Sequence, residues 1–160
     1  MAATVYIGLG ANLDQPEHQL EQAFGALSRL PQTQLIARSA LYRSAPVGKI
    51  DQPDFVNAVA MLRTELSPHA LLHALLDLEA KQGRVRSEPN AARTLDLDLL
   101  LYDDRVIHEP DLDIPHPRMH QRAFVLVPLV ELNPAVMIPG QGQAAQLLSQ
   151  VAGQDVTRLS

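Results

Sequence analysis

Arg93-Thr94-Leu95-Asp96-Leu97-Asp98-Leu99-Leu100-Leu101-Tyr102 alternates leucine with aspartate at the period of a β-strand. Asp96 and Asp98 therefore fall on one face, and Leu95, Leu97, Leu99 and Leu101 on the other. Two carboxylates side by side both ionise at neutral pH only when something positive lies near them. Oxygen donors without a thiolate favour a hard cation, magnesium before zinc, and magnesium commonly arrives with substrate phosphates completing its octahedron. The neighbouring residues carry the matching charge. Arg84, Arg86 and Arg93 precede the pair, Arg118 and Arg122 follow it, and His116 lies among them, in a chain whose formal net charge is −5. Guanidinium forks bind phosphate oxygens two at a time, so a magnesium-phosphate complex would satisfy both signs of charge. A surface ion-pair cluster is the plainer reading of such arginines. The all-leucine opposite face favours a ligand-facing pair.

The 160 residues, 46% hydrophobic, suit a single domain spanning 1–160 with enough chain to bury about 70% of its unfolded surface. There is no cysteine, which removes thiol catalysis, disulfides and cysteine-bound zinc. No basic segment precedes the first apolar run, and no apolar run approaches the roughly 20 residues of a membrane span, so a cytoplasmic location and no membrane partner are expected. The acidic balance argues against nucleic acid, which wants a basic face with a pI above about 9.

Thr4 to Gly10 reads as a short strand ending in a glycine turn, and Pro16 with Glu17 opens a helix with Leu20, Ala23, Phe24 and Leu27 on one stripe before Pro31. Leu13 stands where a dinucleotide fingerprint needs its third glycine, and no Walker-type lysine motif is present. Gln34 to Tyr42 predicts a strand, Arg43 to Pro53 a long loop, and Asp54 to Leu62 a strand buried on both faces, with Phe55, Asn57, Val59 and Met61 on one side. Asn57 must find hydrogen-bond partners there, either backbone or a polar heterocycle. Ser67-Pro68 starts a helix that ends at Gly83. Leu72, Leu76 and Glu79 follow its sheet-facing stripe, with Glu79 expected as an edge residue reaching solvent. The acidic strand turns as a hairpin at Asp103-Asp104, and an apolar segment, Ala123 to Leu132, precedes a weak helix near 143–152.

Strand, helix, strand, strand, helix, strand is the order of the α+β ferredoxin-like, split βαβ plan: an antiparallel sheet with helices packed on one face and the active site on the other.

The ordered motifs Gly8-Leu9-Gly10-Ala11-Asn12-Leu13, Asp51-Gln52-Pro53-Asp54-Phe55-Val56-Asn57-Ala58, Gly83-Arg84-Val85-Arg86, Arg93 to Asp98 and Pro115-His116-Pro117-Arg118-Met119 resemble the 6-hydroxymethyl-7,8-dihydropterin pyrophosphokinases over essentially the whole chain. The resemblance implies transfer of pyrophosphate from ATP to the pterin hydroxymethyl oxygen in folate biosynthesis, releasing AMP, with two magnesium ions on Asp96 and Asp98. It implies Arg84 and Arg93 as catalytic-loop residues, and Glu79, Arg84, Arg86, Arg93, Leu99, His116 and Arg122 as nucleotide contacts. Phe55 and Phe124 match rings that stack on the pterin, Asn57 the residue reading its amide-like edge, and Ser44 and Val47 further pocket positions. The small-molecule partners implied are ATP and the pterin, with the protein a monomer. Where many members carry Trp-Gly-Pro before the arginine, this chain has Asn90-Ala91-Ala92, and tyrosines common at positions 55 and 117 are phenylalanine and proline.

Two other readings remain open at this point. A ligand-binding module without turnover would have broken metal ligands. A metal-dependent phosphohydrolase would need a water-activating base, for which His116 is the candidate.

Overall fold

The computed structural model describes residues 2–13, 15–45, 53–82 and 95–159. The predicted loop arginines Arg84, Arg86 and Arg93, and the pocket residue Val47, lie outside the described residues, as does Gly83. Strands β1 (Ala3–Ala11), β2 (Thr33–Arg38), β3 (Tyr42–Ser44), β4 (Phe55–Thr64) and β5 (Asp96–Tyr102) form one antiparallel sheet. Helices α1 (Pro16–Ser28) and α2 (Pro68–Lys81) fall between them in the chain. β4 and β1 are central, β5 pairs with β1, and β2 and β3 share the other side of β4. This is the split βαβ arrangement expected from the element order.

Local chemistry accounts for the helices. Pro16 sits in the first turn of α1 with Glu17 beside it, and the buried stripe is Leu20, Ala23, Phe24 and Leu27, the residues the period selects. The Ser67 side chain caps α2 by accepting from the Ala70 N–H at 3.1 Å, and Pro68 follows where its missing donor costs nothing. The buried stripe of α2 is Leu71, Leu75 and Glu79; Leu72 and Leu76 sit one position round, at the edge of a cleft.

Two apolar cores lie on the two faces of the sheet. Under α1 and α2 are Val5, Ile7, Leu9, Leu97 and Leu99 with the helical stripes. On the opposite face α3 (Ala123–Leu132), the apolar segment of the sequence, packs Val125, Leu126 and Leu129 against Tyr6, Val59, Leu100 and Leu101. α3 covers only part of that face. The uncovered part is floored by Gly8, Gly10, Asn57, Asp96 and Asp98.

Several local expectations change. Gly8 and Gly10 are not a turn but lie inside β1, paired with Val59 and Asn57 on one side and Asp98 and Asp96 on the other. Leu101 does not share the leucine face: the register slips between Tyr6 and Ile7, an extra residue enters β5, and Leu100 and Leu101 both join the second core. Gln34 to Tyr42 is two strands, β2 and β3, separated by Ser39 to Leu41, and the predicted loop begins inside β3. Asp103-Asp104 is a turn but not a hairpin. Asp103 pairs back with Thr4 of β1 at 2.8 Å through both N–H groups, while β6 (Ile107–Glu109) pairs with β7 (Leu112–Ile114). The weak helix is α4 (Ala144–Leu147), which continues as a 3₁₀ turn over Leu148–Val151 after a small hairpin of β8 (Met137–Ile138) and β9 (Gly142–Gln143). A last strand, β10 (Val156–Arg158), which the sequence pattern did not announce, pairs with β3. No helix among the described residues is long and apolar enough to cross a membrane.

Candidate active site

One row across the sheet carries the logic of the site. In register, Asn57 on β4, Gly10 on β1 and Asp96 on β5 lie side by side, and Val59, Gly8 and Asp98 form the next row. Two strand spacings, about 10 Å, separate the amide from the carboxylate, with only glycine between them. A Cβ at Gly10 would sit 3.3 Å from the Asn57 Oδ1, and one at Gly8 would sit 3.4 Å from the Leu100 methyls. The floor is low because these two positions lack side chains.

Two pockets open from this floor. The first, of about 270 Å³, is lined by Gly8, Gly10, Ser44, Phe55, Asn57, Asp96, Asp98, Arg118, Arg122 and Phe124. The second, of about 410 Å³, is bounded by Leu72, Leu76 and Glu79 of α2, by residues 110–113 of the β6–β7 turn, and by Asp96, Asp98, Leu99, His116 and Arg122. Asp96, Asp98 and Arg122 line both. The acid pair and Arg122 are therefore walls common to both pockets. Asp96 and Asp98 are half-buried, oxygen-only donors, a set that suits a hard cation with phosphate oxygens completing its shell.

Several of the side chains lining these pockets are held by specific contacts. Asn57, 4% exposed, donates from Nδ2 to the Ser44 Oγ at 2.7 Å, which leaves Oδ1 facing Gly10 and the first pocket. The side-chain partner thus lies within the sheet, and the amide still lines the cavity. Glu79 is not at a solvent edge: it is 3% exposed, and its Oε2 accepts the Leu97 N–H at 2.6 Å. Leu97 lies between the two aspartates, so this carboxylate fixes the outer edge of the strand that carries them.

The Leu100 carbonyl accepts the His116 N–H at 3.0 Å and holds that residue over β5. The Arg118 N–H donates to His116 Nδ1 at 3.2 Å, so the remaining ring proton sits on Nε2. Burial, then the Arg122 charge, pushes the His116 pKa down to about 4, against an upward pull from Asp96. The ring is a neutral donor at pH 7.

Phe124 and Arg122 stand at the start of α3. Gln154 fastens that start, its Oε1 accepting from the Ala123 N–H at 2.9 Å and its Nε2 donating to the Gln121 carbonyl at 2.8 Å. The Arg122 guanidinium lies 5.4 Å from the Phe124 ring centre. On the far side of the second pocket, His69 pairs with Glu109 at 3.0 Å and with Asp111 at 3.6 Å, which ties the first turn of α2 to the β6–β7 turn.

Of the residues expected from the sequence, Ser44, Phe55, Asn57, Glu79, Asp96, Asp98, Leu99, His116, Arg122 and Phe124 converge on these two pockets. The sequence reading missed Gly8 and Gly10 as a floor and Leu72 and Leu76 as a wall. The glycines' alternation with Leu9 was the available signal for the first.

Fold and site together define a ferredoxin-like α+β domain in which two pockets share a carboxylate pair. The model of the 7,8-dihydro-6-hydroxymethylpterin-pyrophosphokinase family matches residues 6–134, and the chain belongs to that family. A 2-amino-4-hydroxy-6-hydroxymethyldihydropteridine pyrophosphokinase of Haemophilus influenzae is 46% identical over 157 residues, 98% of each chain. The enzyme of the same name from Pseudomonas aeruginosa is 45% identical over 159 residues, covering 99% of this chain and 98% of its own. Among solved structures, the Plasmodium falciparum HPPK-DHPS triple mutant with pteroate superposes with a TM-score of 0.75 at 14% identity, over 96% of this chain and 44% of that longer one. At that identity the likeness speaks for the fold alone.

Proposed function

We propose that the protein transfers the diphosphoryl group of ATP to the hydroxymethyl oxygen of 6-hydroxymethyl-7,8-dihydropterin in folate biosynthesis, with Asp96 and Asp98 as the ligands of two magnesium ions. The observation that carries the reading is that the acid pair is common to both pockets. A transfer between two bound substrates needs its charge-stabilising centre at their meeting point.

The pterin occupies the first pocket. Its flat ring lies on the glycine floor between Phe55 and Phe124, and its amide-like edge meets Asn57. The nucleotide takes the second pocket, where Leu72, Leu76 and Leu99 offer apolar surface to the base, and His116 Nε2–H and Arg122 face the phosphates. The hydroxymethyl oxygen attacks the β-phosphorus. The bond from that phosphorus to the oxygen bridging to the α-phosphorus breaks, AMP leaves with the bridging oxygen, and the hydroxyl proton passes to solvent. Magnesium, when bound, draws charge from both sides of the transferred group. Arg84, Arg86 and Arg93 join the same reading as phosphate ligands by their place in the family motif. All these groups come from one chain, which suits a monomer, and an ATP-consuming step suits the cytoplasm.

The phosphohydrolase alternative loses support, because His116 Nδ1 is engaged by a backbone N–H and the ring is a weak base. Purified protein with ATP, magnesium and the reduced hydroxymethylpterin should release AMP and a pterin diphosphate in equal amounts. Free phosphate in place of AMP, or no turnover, refutes the proposal.

A further inference from the structure

Arg118 lines the first pocket together with the acid pair, and it also lines the adjoining cavity beyond Phe124 and Arg122, of about 460 Å³. It does not line the second pocket, whereas Arg122 borders all three spaces. The Arg118 side chain is exposed, and among the described residues no carboxylate or other acceptor engages its guanidinium. Its backbone is fixed nonetheless. The N–H is bonded to His116, the carbonyl accepts from the Gln121 N–H at 3.0 Å, and the next residue, Met119, is fully buried. A long cationic side chain on a rigid stem, bordering the first pocket and the cavity beyond it but not the second pocket, is placed for an anion that arrives on that side during the reaction.

Resting on the function proposed above, we infer that Arg118 binds the diphosphate after it has moved to the pterin side: a contact made in the transition state and the product, and not with ATP in the ground state. Before transfer, the three phosphates extend from the second pocket to the acid pair, within reach of Arg122 and His116. As the new oxygen–phosphorus bond forms, the diphosphate becomes a substituent of the ligand in the first pocket, and its charge then lies on the Arg118 side of the aspartates. A guanidinium fork matches its terminal oxygens. An interaction confined to the later states accelerates transfer, whereas one made equally with ATP would not.

The test uses wild-type protein with Arg118→Ala and Arg118→Lys. Calorimetry with magnesium measures affinity for α,β-methylene-ATP and for the pterin diphosphate product, and single-turnover mixing measures the transfer rate. For Arg118→Ala the expectation is an unchanged analogue affinity with product affinity and transfer rate each down about tenfold, the scale of one charge-assisted hydrogen bond. Arg118→Lys should recover part of both. Equal weakening of analogue and product, or no change in product affinity, overturns the inference, since a general loosening of the site would not separate the two ligands. A wild-type protein that releases no AMP overturns the proposed function, and this inference with it; normal wild-type turnover with an unaltered Arg118→Ala overturns the inference alone.

Discussion

Replacing Gly10 by alanine should damage the first pocket without damaging the fold. The new methyl would lie 3.3 Å from the Asn57 Oδ1 and 3.9 Å from the Val56 carbonyl oxygen, so the carboxamide must yield by a few tenths of an ångström. Its other end is held by the 2.7 Å bond to Ser44. Yielding stretches that bond or turns the amide off its rotamer, at a cost of about 1 kcal/mol. Against this, alanine in a strand interior gains about 0.5–1 kcal/mol over glycine, because the unfolded chain has less freedom to lose. The two nearly cancel in stability. They do not cancel in binding, where a displaced amide forfeits about 1.4 kcal/mol, or roughly tenfold in pterin affinity. Calorimetry with pterin and with an ATP analogue, beside urea unfolding, separates the two effects. A variant more stable by about 1 kcal/mol with unaltered pterin affinity would refute the argument that glycine at this position sets the amide.

Asp96→Asn and Asp98→Asn should each reduce transfer by several kcal/mol of barrier while leaving urea midpoints close to wild type, and AMP release near normal in magnesium would exclude the two-aspartate assignment. His116 is held neutral in the fold, with its pKa lowered from 6.5 to about 4. Its contribution to stability is therefore complete above about pH 6.5 and shrinks as pH falls toward about 4, by up to about 3 kcal/mol and less after solvent screening. His116→Gln should flatten that slope in urea titrations at pH 7, 6 and 5, and parallel profiles would contradict it. Tyr42 donates to Glu131 Oε1 at 2.6 Å, and burial with that carboxylate raises its pKa to about 12. Tyr42→Phe should cost about 1–2 kcal/mol at neutral pH and remove the loss of stability that wild type shows as pH rises from about 10 toward 12; an unchanged alkaline limb argues against it.

The sequence made the element order legible because periodicity in α1 and β4 is strong and each flanking proline or serine marks a boundary. Asp96, Asp98, Asn57 and Phe55 could be assigned to one face because a strand's alternation converts spacing directly into direction. The burial of Glu79 escaped, since a carboxylate at the end of a helical stripe reads as solvent-facing until its partner, the Leu97 N–H at the sheet edge, is known. β10 escaped because three residues of strand have no periodicity to detect, and its pairing with β3 is a long-range event. Arg118 and Arg122 read alike in sequence. Only the folded turn separates the one that borders both pockets from the one that borders the first alone.

The extra residue in β5 gives this strand two phases. Upstream of it the face opposite the helices carries the carboxylates of Asp96 and Asp98, the proposed metal ligands; downstream the same face carries packing, Leu100 and Leu101. The residue at the switch also offers the carbonyl that holds His116. Chain length in this strand is therefore a functional variable in its own right. Shortening it by one leucine would leave every side chain of the proposed site in the sequence and yet turn the α3 side of the sheet out of register with the pocket. No point substitution reproduces that effect, and this strand should bear a leucine-to-isoleucine or leucine-to-methionine exchange at Leu100 or Leu101 far better than the deletion of one residue.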